Sequence, residues 1–392
     1  MSWGAKNLMD LRKEFVIQAS QDGVNISELC KRYNVSRKTG YKWIGRYVKD
    51  GQSGLQDLSK RPQISPEKTS SQWVERIVAV RKKHPAWGAR KIRVILSRSF
   101  AENELPACST IHKILEQNGY IVKGEHAQRH WNRFEHEAPN HLWQMDFKGH
   151  FAYEQGRCHP LTILDDHSRF SVLLKACQNE TKETVQPLLI ETFRRYGLPE
   201  RINVDNGSPW GSMFECARYT TLSVWLIRIG VRVSYSRPRH PQTNGKDERF
   251  HRTLKRELLE PNYFRNINHI QEHFEKWRDI YNLQRPHEAI GMQVPADRFK
   301  PSYRVYPEVL PDIEYAAEDE VRKVDCRGRI SLGGRNIFVG MPFAKEPVAI
   351  RASVETDVVQ FFYAHQKLGE IDLSTVQKNT MVNLYSQKAS LL

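Results

Sequence analysis

The chain has 392 residues, of which 39% are hydrophobic and 27% are charged, a composition that predicts folded domains and excludes a disordered chain. It contains no apolar run near the roughly 18 residues of a membrane span, and no apolar secretory signal at its start. The formal net charge is +15, and residues 1–140 carry 25 Lys and Arg against 14 Asp and Glu, which favours a polyanion bound near that end.

These properties predict a protein without a membrane segment, cytoplasmic and associated with the nucleoid. The cysteines do not suggest a disulfide framework or a Cys-rich zinc site, because no Cys-x-x-Cys pair occurs among positions 30, 108, 158, 177, 216 and 326. Four histidines cluster between residues 126 and 141, but no paired cysteines follow them. We therefore interpret these histidines as linker residues.

Residues 1–50 are predicted to form a helix-turn-helix DNA-binding domain. Asn25 and Glu28 have the spacing of a capping box, Asn34 suits a left-handed turn, and Ser36 can cap a second helix. In such modules the N-terminal residues of the second helix enter the major groove. This indicates three basic residues as candidate DNA contacts: Arg37, Lys38 and Lys42. An ordinary helical hairpin remains the alternative.

The next segments alternate between linkers and helices. Residues 51–70 are rich in Gly, Ser and Pro and are predicted to be a linker. Residues 71–120 show three helical patterns, the first ending before Pro85 and the third capped by Ser109. Residues 121–138 contain Lys, Arg and His and are predicted to be a basic connector.

Two carboxylates then occur at strand-like positions. In WQMDF, apolar and polar residues alternate from Trp143, so Asp146 points away from the apolar row. In RINVDNG, Asp205 ends an alternating run at an Asn-Gly turn, where a carboxylate can reach a ligand. Asp165 and Asp166 are rival acids, but their context predicts a hairpin turn between two buried strands.

A third carboxylate lies on a predicted helix, and two neighbours compete for the role. Phe250, Leu254 and Leu258 form an apolar stripe with a period of four residues. Asp247 lies near that stripe, whereas Glu248 lies two residues before Phe250, about 200° around the helix. The geometry therefore favours Glu248 over Asp247 as the acid that faces a polar site.

The last part of the chain changes to strand patterns. Residues 315–392 contain short alternating runs, with a two-residue Gly333-Gly334 turn between two of them. These short strands predict a β-rich domain in the form of a small barrel, and the segment shows no catalytic pattern.

Several of these strings occur together and in a specific order: WQMDF, VDNG, HPQTNGKDERFHRTLK and YNLQRPHEAIGMQVPADRF. They resemble bacterial insertion-sequence DDE transposases of the retroviral-integrase-like group, and the resemblance extends over most of the chain. It implies a multidomain fold with N-terminal all-α helix-turn-helix modules, an α/β RNase H-like (integrase) catalytic core at 139–305 and a small C-terminal β-barrel. It also implies that residues 71–120 are a second helix-turn-helix-like DNA-binding domain.

The resemblance implies that Asp146, Asp205 and Glu248 are both the catalytic residues and the metal ligands. An all-carboxylate set suits two Mg²⁺ ions, with Mn²⁺ as a substitute. The implied function is binding of terminal inverted repeats, followed by metal-dependent cleavage and strand transfer by in-line phosphoryl transfer. The partners are double-stranded DNA, both terminal repeats and target, and further copies of the chain in the DNA complex.

The loop before Glu248 and the helix after it are rich in basic residues. Basic side chains that face the acids can hold phosphates without reading sequence. The resemblance indicates six candidate DNA contacts here: His240, Gln242, Asn244, Lys246, Arg249 and Arg252. A solvated basic helix face is the alternative for this segment.

Two other functions remain open at this stage. An inactive derivative would act as a DNA-binding repressor, although all three acids are present. A metal nuclease of the same fold would cut DNA without joining it, although the helix-turn-helix modules and the HPQTNGK loop disfavour this.

Overall fold

The computed structural model describes residues 7–58, 69–121, 135–211, 218–236, 245–353 and 357–385. The chain divides into two compact units, Met1–Thr69 and Ser70–Leu392. No helix in the described ranges is long and apolar enough to cross a membrane.

The first unit is a three-helix module. Its helices are α1 (Leu8–Ala19), α2 (Ile26–Arg32) and α3 (Arg37–Asp50), followed by a 3-10 turn at Gly51–Leu55. The predicted caps are confirmed, since Asn25 accepts the N–H of Ser27 at 2.9 Å and Ser36 accepts that of Thr39 at 3.2 Å.

The turn between α2 and α3 also has the predicted geometry. Asn34 adopts a φ of 52°, in the left-handed region. Gly40 lets the helices approach closely, because a Cβ there would lie 2.5 Å from the Sγ of Cys30. Buried apolar side chains from all three helices and the following turn form the core: Phe15, Val16, Leu29, Cys30, Trp43 and Leu55.

The second unit begins with three more helices, α4 (Ser71–Lys83), α5 (Ala89–Leu96) and α6 (Cys108–Gln117). They enclose a separate apolar core that contains Ile77, Trp87, Ile92 and Ile111. The first helix ends before Pro85, as predicted. The prediction that Ser109 caps α6 was wrong, because the N-cap is Ala107, two residues earlier, and it makes no side-chain cap hydrogen bond.

A mixed six-stranded sheet follows. Its strands are β1 (Trp143–Phe147), β2 (Phe151–Tyr153), β3 (Gly156–Asp165), β4 (Ser171–Cys177), β5 (Arg201–Val204) and β6 (Arg232–Tyr235). β3 pairs antiparallel with β1, β2 and β4, while β1, β5 and β6 are mutually parallel in that order. β1, β4 and β5 therefore run in one direction, and their C-terminal ends lie along the same edge of the sheet.

Helices cover this sheet. They are α7 (Lys182–Tyr196), α8 (Thr221–Arg228), α9 (Gly245–Leu254), α10 (Ile267–Asp279) and α11 (Pro295–Arg298), with π-helical turns continuing α9 at Lys255–Leu259 and α10 at Ile280–Gln284. The predicted apolar stripe of α9 is confirmed, since its side chains are buried against α10 and the sheet. Phe250 contacts Trp277 and Tyr281 edge to face, with ring centroids 5.5 and 5.0 Å away. This packing determines which side of α9 remains open to solvent.

The C-terminal strands are β7 (Glu320–Lys323), β8 (Arg329–Leu332), β9 (Arg335–Phe338), β10 (Pro347–Ala352), β11 (Val358–Tyr363), β12 (Gln366–Asp372) and β13 (Met381–Asn383). They form two sheets, in the orders β12-β11-β10-β7 and β13-β9-β8. The predicted hairpin around Gly333-Gly334 is confirmed by the β8–β9 pairing.

The described strands do not close into the predicted barrel. Between β7 and β8, Asp325 accepts the backbone N–H groups of Arg327 and Arg329, at 2.8 and 2.9 Å, and this turn leads the chain out of the first sheet. The C-terminal domain also packs on the core, where Phe343 and Tyr219 have ring centroids 5.4 Å apart. The domain boundaries proposed within Ser70–Leu392 stay predictions.

Candidate active site

Strand pairing brings two of the three acids together. β1 and β5 are adjacent and parallel, with Trp143 opposite Ile202 and Gln144 opposite Asn203. Continuing this register by two residues places Asp146 beside Asp205, which follows the last residue of β5. Two acids separated by 58 residues of sequence thus meet at the C-terminal edge of the sheet.

Burial and neighbouring charges shift the pKa values of both carboxyl groups. Burial, together with the charges of Asp205, Glu180 and Glu248, raises the pKa of Asp146 to about 7. Burial and the charge of Glu180 also raise the pKa of Asp205, although the Gly207 N–H donates to its Oδ1 at 3.1 Å. Burial and neighbouring carboxylates therefore both disfavour the charged forms of these two acids.

A threonine and a histidine hold Asp146 from the neighbouring elements. The Thr162 hydroxyl donates to the Asp146 carbonyl at 2.9 Å, and its oxygen lies 2.8 Å from Nε2 of His251. The other ring nitrogen of His251 lies 4.0 Å from the Asp146 carboxylate. Burial and the charge of Lys148 lower the pKa of His251 to about 4, so the imidazole is neutral. Sequence reasoning missed His251, although it lies one helical turn after Glu248.

The two neighbouring acids of α9 have opposite environments, as the helical periodicity predicted. Asp247 is 1% exposed, and neither of its carboxylate oxygens has a hydrogen-bond partner in the described structure. Burial, followed by the charges of Asp146 and Asp166, raises the pKa of Asp247 well above its usual range. Glu248 is exposed in the first turn of α9, close enough to Asp146 to affect its pKa.

The charge interactions do not yet amount to a formed metal centre. Among the residues that the structure describes, no three His, Cys, Asp or Glu side chains lie close enough to hold one ion. Carboxylate oxygens are nevertheless the ligands that hard divalent cations prefer, and mutual repulsion of the kind that raises the pKa of Asp146 is relieved by a cation. The donor set therefore fits a divalent ion, with Asp146, Asp205 and Glu248 as the residues that could hold it.

Lys246, one of the predicted DNA contacts, is paired with a carboxylate of the protein itself. Lys246 forms an ion pair with Asp166, whose carboxylate is fully buried. Asp166 also accepts the side-chain amide of Gln144 and the backbone N–H of His136, each at 2.9 Å. In this conformation Lys246 anchors the start of α9 to the β3–β4 turn rather than facing solvent.

The rival acid Asp165 also has a local role. It is fully buried, and it accepts the Ser168 N–H at 2.8 Å and the Asn140 N–H at 2.8 Å. These bonds hold the β3–β4 turn, in keeping with the prediction of a hairpin turn.

The other candidate DNA contacts are distributed over the chain. Arg249 and Arg252 are exposed on α9, the helix that carries Glu248. Arg37, Lys38 and Lys42 are exposed on α3, in the first unit. His240, Gln242 and Asn244 lie outside the described residues.

Sequence reasoning also missed Glu180, which affects both Asp146 and Asp205. It lies three residues beyond the end of β4, with Oε1 2.7 Å from Nδ1 of His159. A carboxylate just after a strand end is the same signal that indicated Asp205. The sequence did not show that β4 ends at the same edge.

Family models match each part of the chain. Residues 136–241 and 229–295 match models described as integrase core domain. Residues 12–63 match a helix-turn-helix domain, and residues 39–115 match a homeodomain-like domain. Residues 319–379 match the C-terminal domain of IS481 family transposases.

Similar curated proteins come from insertion sequences. The chain is 23% identical over 278 residues to an uncharacterized 31.7 kDa protein of insertion element IS407 from Burkholderia multivorans, covering 69% of this chain and 93% of that protein. It is 26% identical over 253 residues to the transposase of IS904 from Lactococcus lactis, covering 57% and 91%. It is 24% identical over 242 residues to the transposase InsD of Escherichia coli, covering 54% and 73%.

Two similar solved structures have low sequence identity to this chain and low TM-scores. A chain of the simian T-cell lymphotropic virus intasome aligns with a TM-score of 0.37 and 16% identity, covering 74% of this chain and 97% of that one. The HTLV-2 integrase catalytic core domain in complex with magnesium aligns with a TM-score of 0.31 and 17% identity, covering 41% and 97%. These similarities are too weak to support an argument about the chain.

Proposed function

We propose that this chain, a DDE-type polynucleotidyl transferase of the bacterial insertion-sequence transposases related to retroviral integrases, binds the terminal inverted repeats of its element and cleaves and joins DNA there. The observation that carries the proposal is the adjacency of Asp146 and Asp205 at one sheet edge, with Glu248 close enough to raise the pKa of Asp146. The helix-turn-helix domains, which precede these acids in the sequence, provide DNA binding.

Asp146, Asp205 and Glu248 are the proposed ligands of two Mg²⁺ ions, which Mn²⁺ could replace. Ions held by these residues would supply activation of the attacking oxygen and stabilisation of the leaving oxygen in an in-line displacement. Glu248 lies on the exposed side of α9, so it can approach the two aspartates without disturbing the buried stripe of that helix.

The neighbouring side chains have supporting roles in this proposal. The exposed guanidinium groups of Arg249 and Arg252 hold DNA phosphates beside the acids. The neutral ring of His251 and the hydroxyl of Thr162 hold β1 and α9 together, which keeps Asp146 in place. Lys246 contributes through its ion pair with Asp166, which fixes the first turn of α9.

The same acids serve both proposed reactions. The attacking group is water in end cleavage and a DNA 3′-hydroxyl in strand joining, and both reactions displace a phosphate oxygen. No covalent bond between protein and DNA is required. Because two element ends must be joined to one target, the proposed DNA complex contains a homo-oligomer of the chain. The proposed location is the cytoplasm, in association with the nucleoid.

The test is cleavage and joining of a labelled duplex that carries the flanking terminal repeat, with Mg²⁺ or Mn²⁺. We expect Glu248→Gln to lower both rates by at least about a hundredfold, while DNA binding stays within twofold. Glu260→Gln is the matched control, since Glu260 is exposed just beyond the same helical segment. Cutting without joining by the wild type would indicate a nuclease, and binding without chemistry would indicate a repressor.

A further inference from the structure

A fourth carboxylate lies at the same sheet edge as the proposed active site. β1, β4 and β5 run in one direction, and an acid lies at or near the C-terminal end of each. Asp146 is the second-to-last residue of β1, Glu180 lies three residues beyond β4, and Asp205 directly follows β5. β4 is separated from β1 only by β3, so the segment after Cys177 emerges two strands from Asp146. The sheet topology thus places Glu180 on the far side of Asp146 from Asp205.

A histidine holds the Glu180 side chain in position. His159 lies on β3 directly opposite Cys177 of β4, at the point where β4 ends. Its Nδ1 lies 2.7 Å from Oε1 of Glu180, and since a carboxylate only accepts, the ring N–H is the donor. His159 is 21% exposed and Glu180 is 37% exposed, so solvent reaches the carboxylate without surrounding it.

The charge of Glu180 acts on both aspartates. It contributes to the raised pKa values of Asp146 and Asp205, after burial in each case. No hydrogen bond joins Glu180 to either aspartate in the described structure, so the effect operates through space. A negative charge at the sheet edge where both aspartates lie also attracts a cation that these acids hold.

We propose that Glu180, oriented by His159, is a positioning residue of the acidic site that strengthens its binding of divalent cations through charge, without itself replacing Asp146, Asp205 or Glu248. This inference rests on the proposed function, because it requires that the aspartates hold a cation. It adds a residue that the three sequence motifs do not contain, and it assigns a role to the His159–Glu180 pair that packing alone does not require.

The experiment measures Mn²⁺ binding to the full chain, without DNA, by the loss of the free Mn²⁺ signal in electron paramagnetic resonance at pH 7.5. Glu180→Gln removes the charge and keeps the shape, whereas Glu180→Asp keeps the charge. The control Glu183→Gln removes an exposed carboxylate three residues away, in the first turn of α7. Asp146→Asn tests the site itself.

We expect Glu180→Gln to weaken Mn²⁺ binding about five- to tenfold, as one charge near a divalent ion in a water-like dielectric predicts. Glu180→Asp keeps the charge but shortens the side chain away from His159, so its affinity should lie between those of the wild type and Glu180→Gln, and Glu183→Gln should have no effect. The difference between Glu180→Gln and the wild type should shrink as KCl rises from 0.05 to 0.5 M, because salt screens charges that are not in contact. A purely structural role would not produce this salt dependence.

Three results would overturn one claim or the other. If Asp146→Asn abolishes binding while Glu180→Gln binds like the wild type, the inference about Glu180 is wrong and the proposed site stands. If Asp146→Asn leaves binding unchanged, the proposed site itself is wrong, and the inference falls with it. If Glu180→Gln does not fold, His159→Gln replaces it. This variant keeps the charge of Glu180 but removes the ring that orients it, so a wild-type affinity for Mn²⁺ would overturn the role of His159.

Discussion

Asp146→Asn should make the metal-free protein more stable at pH 8 while it abolishes metal-dependent chemistry. Burial and the charges of Asp205, Glu180 and Glu248 raise the pKa of Asp146 from 3.8 to about 7 in the folded chain. An acid whose pKa is raised by folding favours the folded state when protonated. The contribution of Asp146 to the free energy of unfolding is fully present below about pH 4 and is lost as the pH rises to about 7.

The size of this effect follows from the pKa shift. A shift of about three pKa units corresponds to roughly 4 kcal/mol lost from the free energy of unfolding across that pH window. The Asp146 side chain is 24% exposed, so partial hydration brings the expected gain of the Asn variant closer to about 2–3 kcal/mol. The amide keeps the size of the carboxyl group and removes only the charge.

The assay is urea unfolding followed by tryptophan fluorescence between pH 4.5 and 8.5, in EDTA and again in MgCl₂. In EDTA, the free energy of unfolding of the variant should exceed that of the wild type by an amount that grows with pH. In MgCl₂, the wild type should become as stable as the variant. Asp372→Asn is a control of opposite sign, because hydrogen bonds from Ser374 lower the pKa of that exposed carboxylate. An Asp146→Asn variant that is less stable than the wild type at pH 8 would refute the reasoning.

Three further predictions concern α9 and the first unit. Asp247→Ala should raise the free energy of unfolding in urea by about 1–2 kcal/mol, because it removes a buried carboxyl without a hydrogen-bond partner. The variant should retain DNA cleavage, and loss of cleavage would make Asp247 the third acid. Lys246→Met should cost about 3–5 kcal/mol in the same assay, since it removes the cation that is paired with the buried Asp166 carboxylate, whereas exposed Lys255→Met should cost less than about 1 kcal/mol; equal losses would refute the anchor. Lys38→Ala should reduce the slope of log affinity against log salt by about 1 in fluorescence anisotropy with terminal-repeat DNA, with unchanged unfolding, and an unchanged slope would exclude a phosphate contact there.

Local patterns in the sequence predicted most of the elements correctly. Asn25 and Ser36 cap the helices that they were expected to cap, because a cap depends only on the next three backbone groups. The rotation of about 100° per residue separated the buried Asp247 from the exposed Glu248. The same local reasoning failed at Ser109, because the N-cap of α6 lies two residues earlier, at Ala107.

The sequence by itself determined many of the strands and helices and the sides of β1 and α9 that face the core, since these follow from periods of two and 3.6 residues. Only the tertiary structure decided which strand ends meet, because pairing depends on packing between distant segments. It placed Asp205 beside Asp146, brought Glu180 to the same edge and paired Lys246 with Asp166. Among the described residues it also left the C-terminal strands as two open sheets, since hairpin signals define neighbours in sequence but not the closure of a barrel.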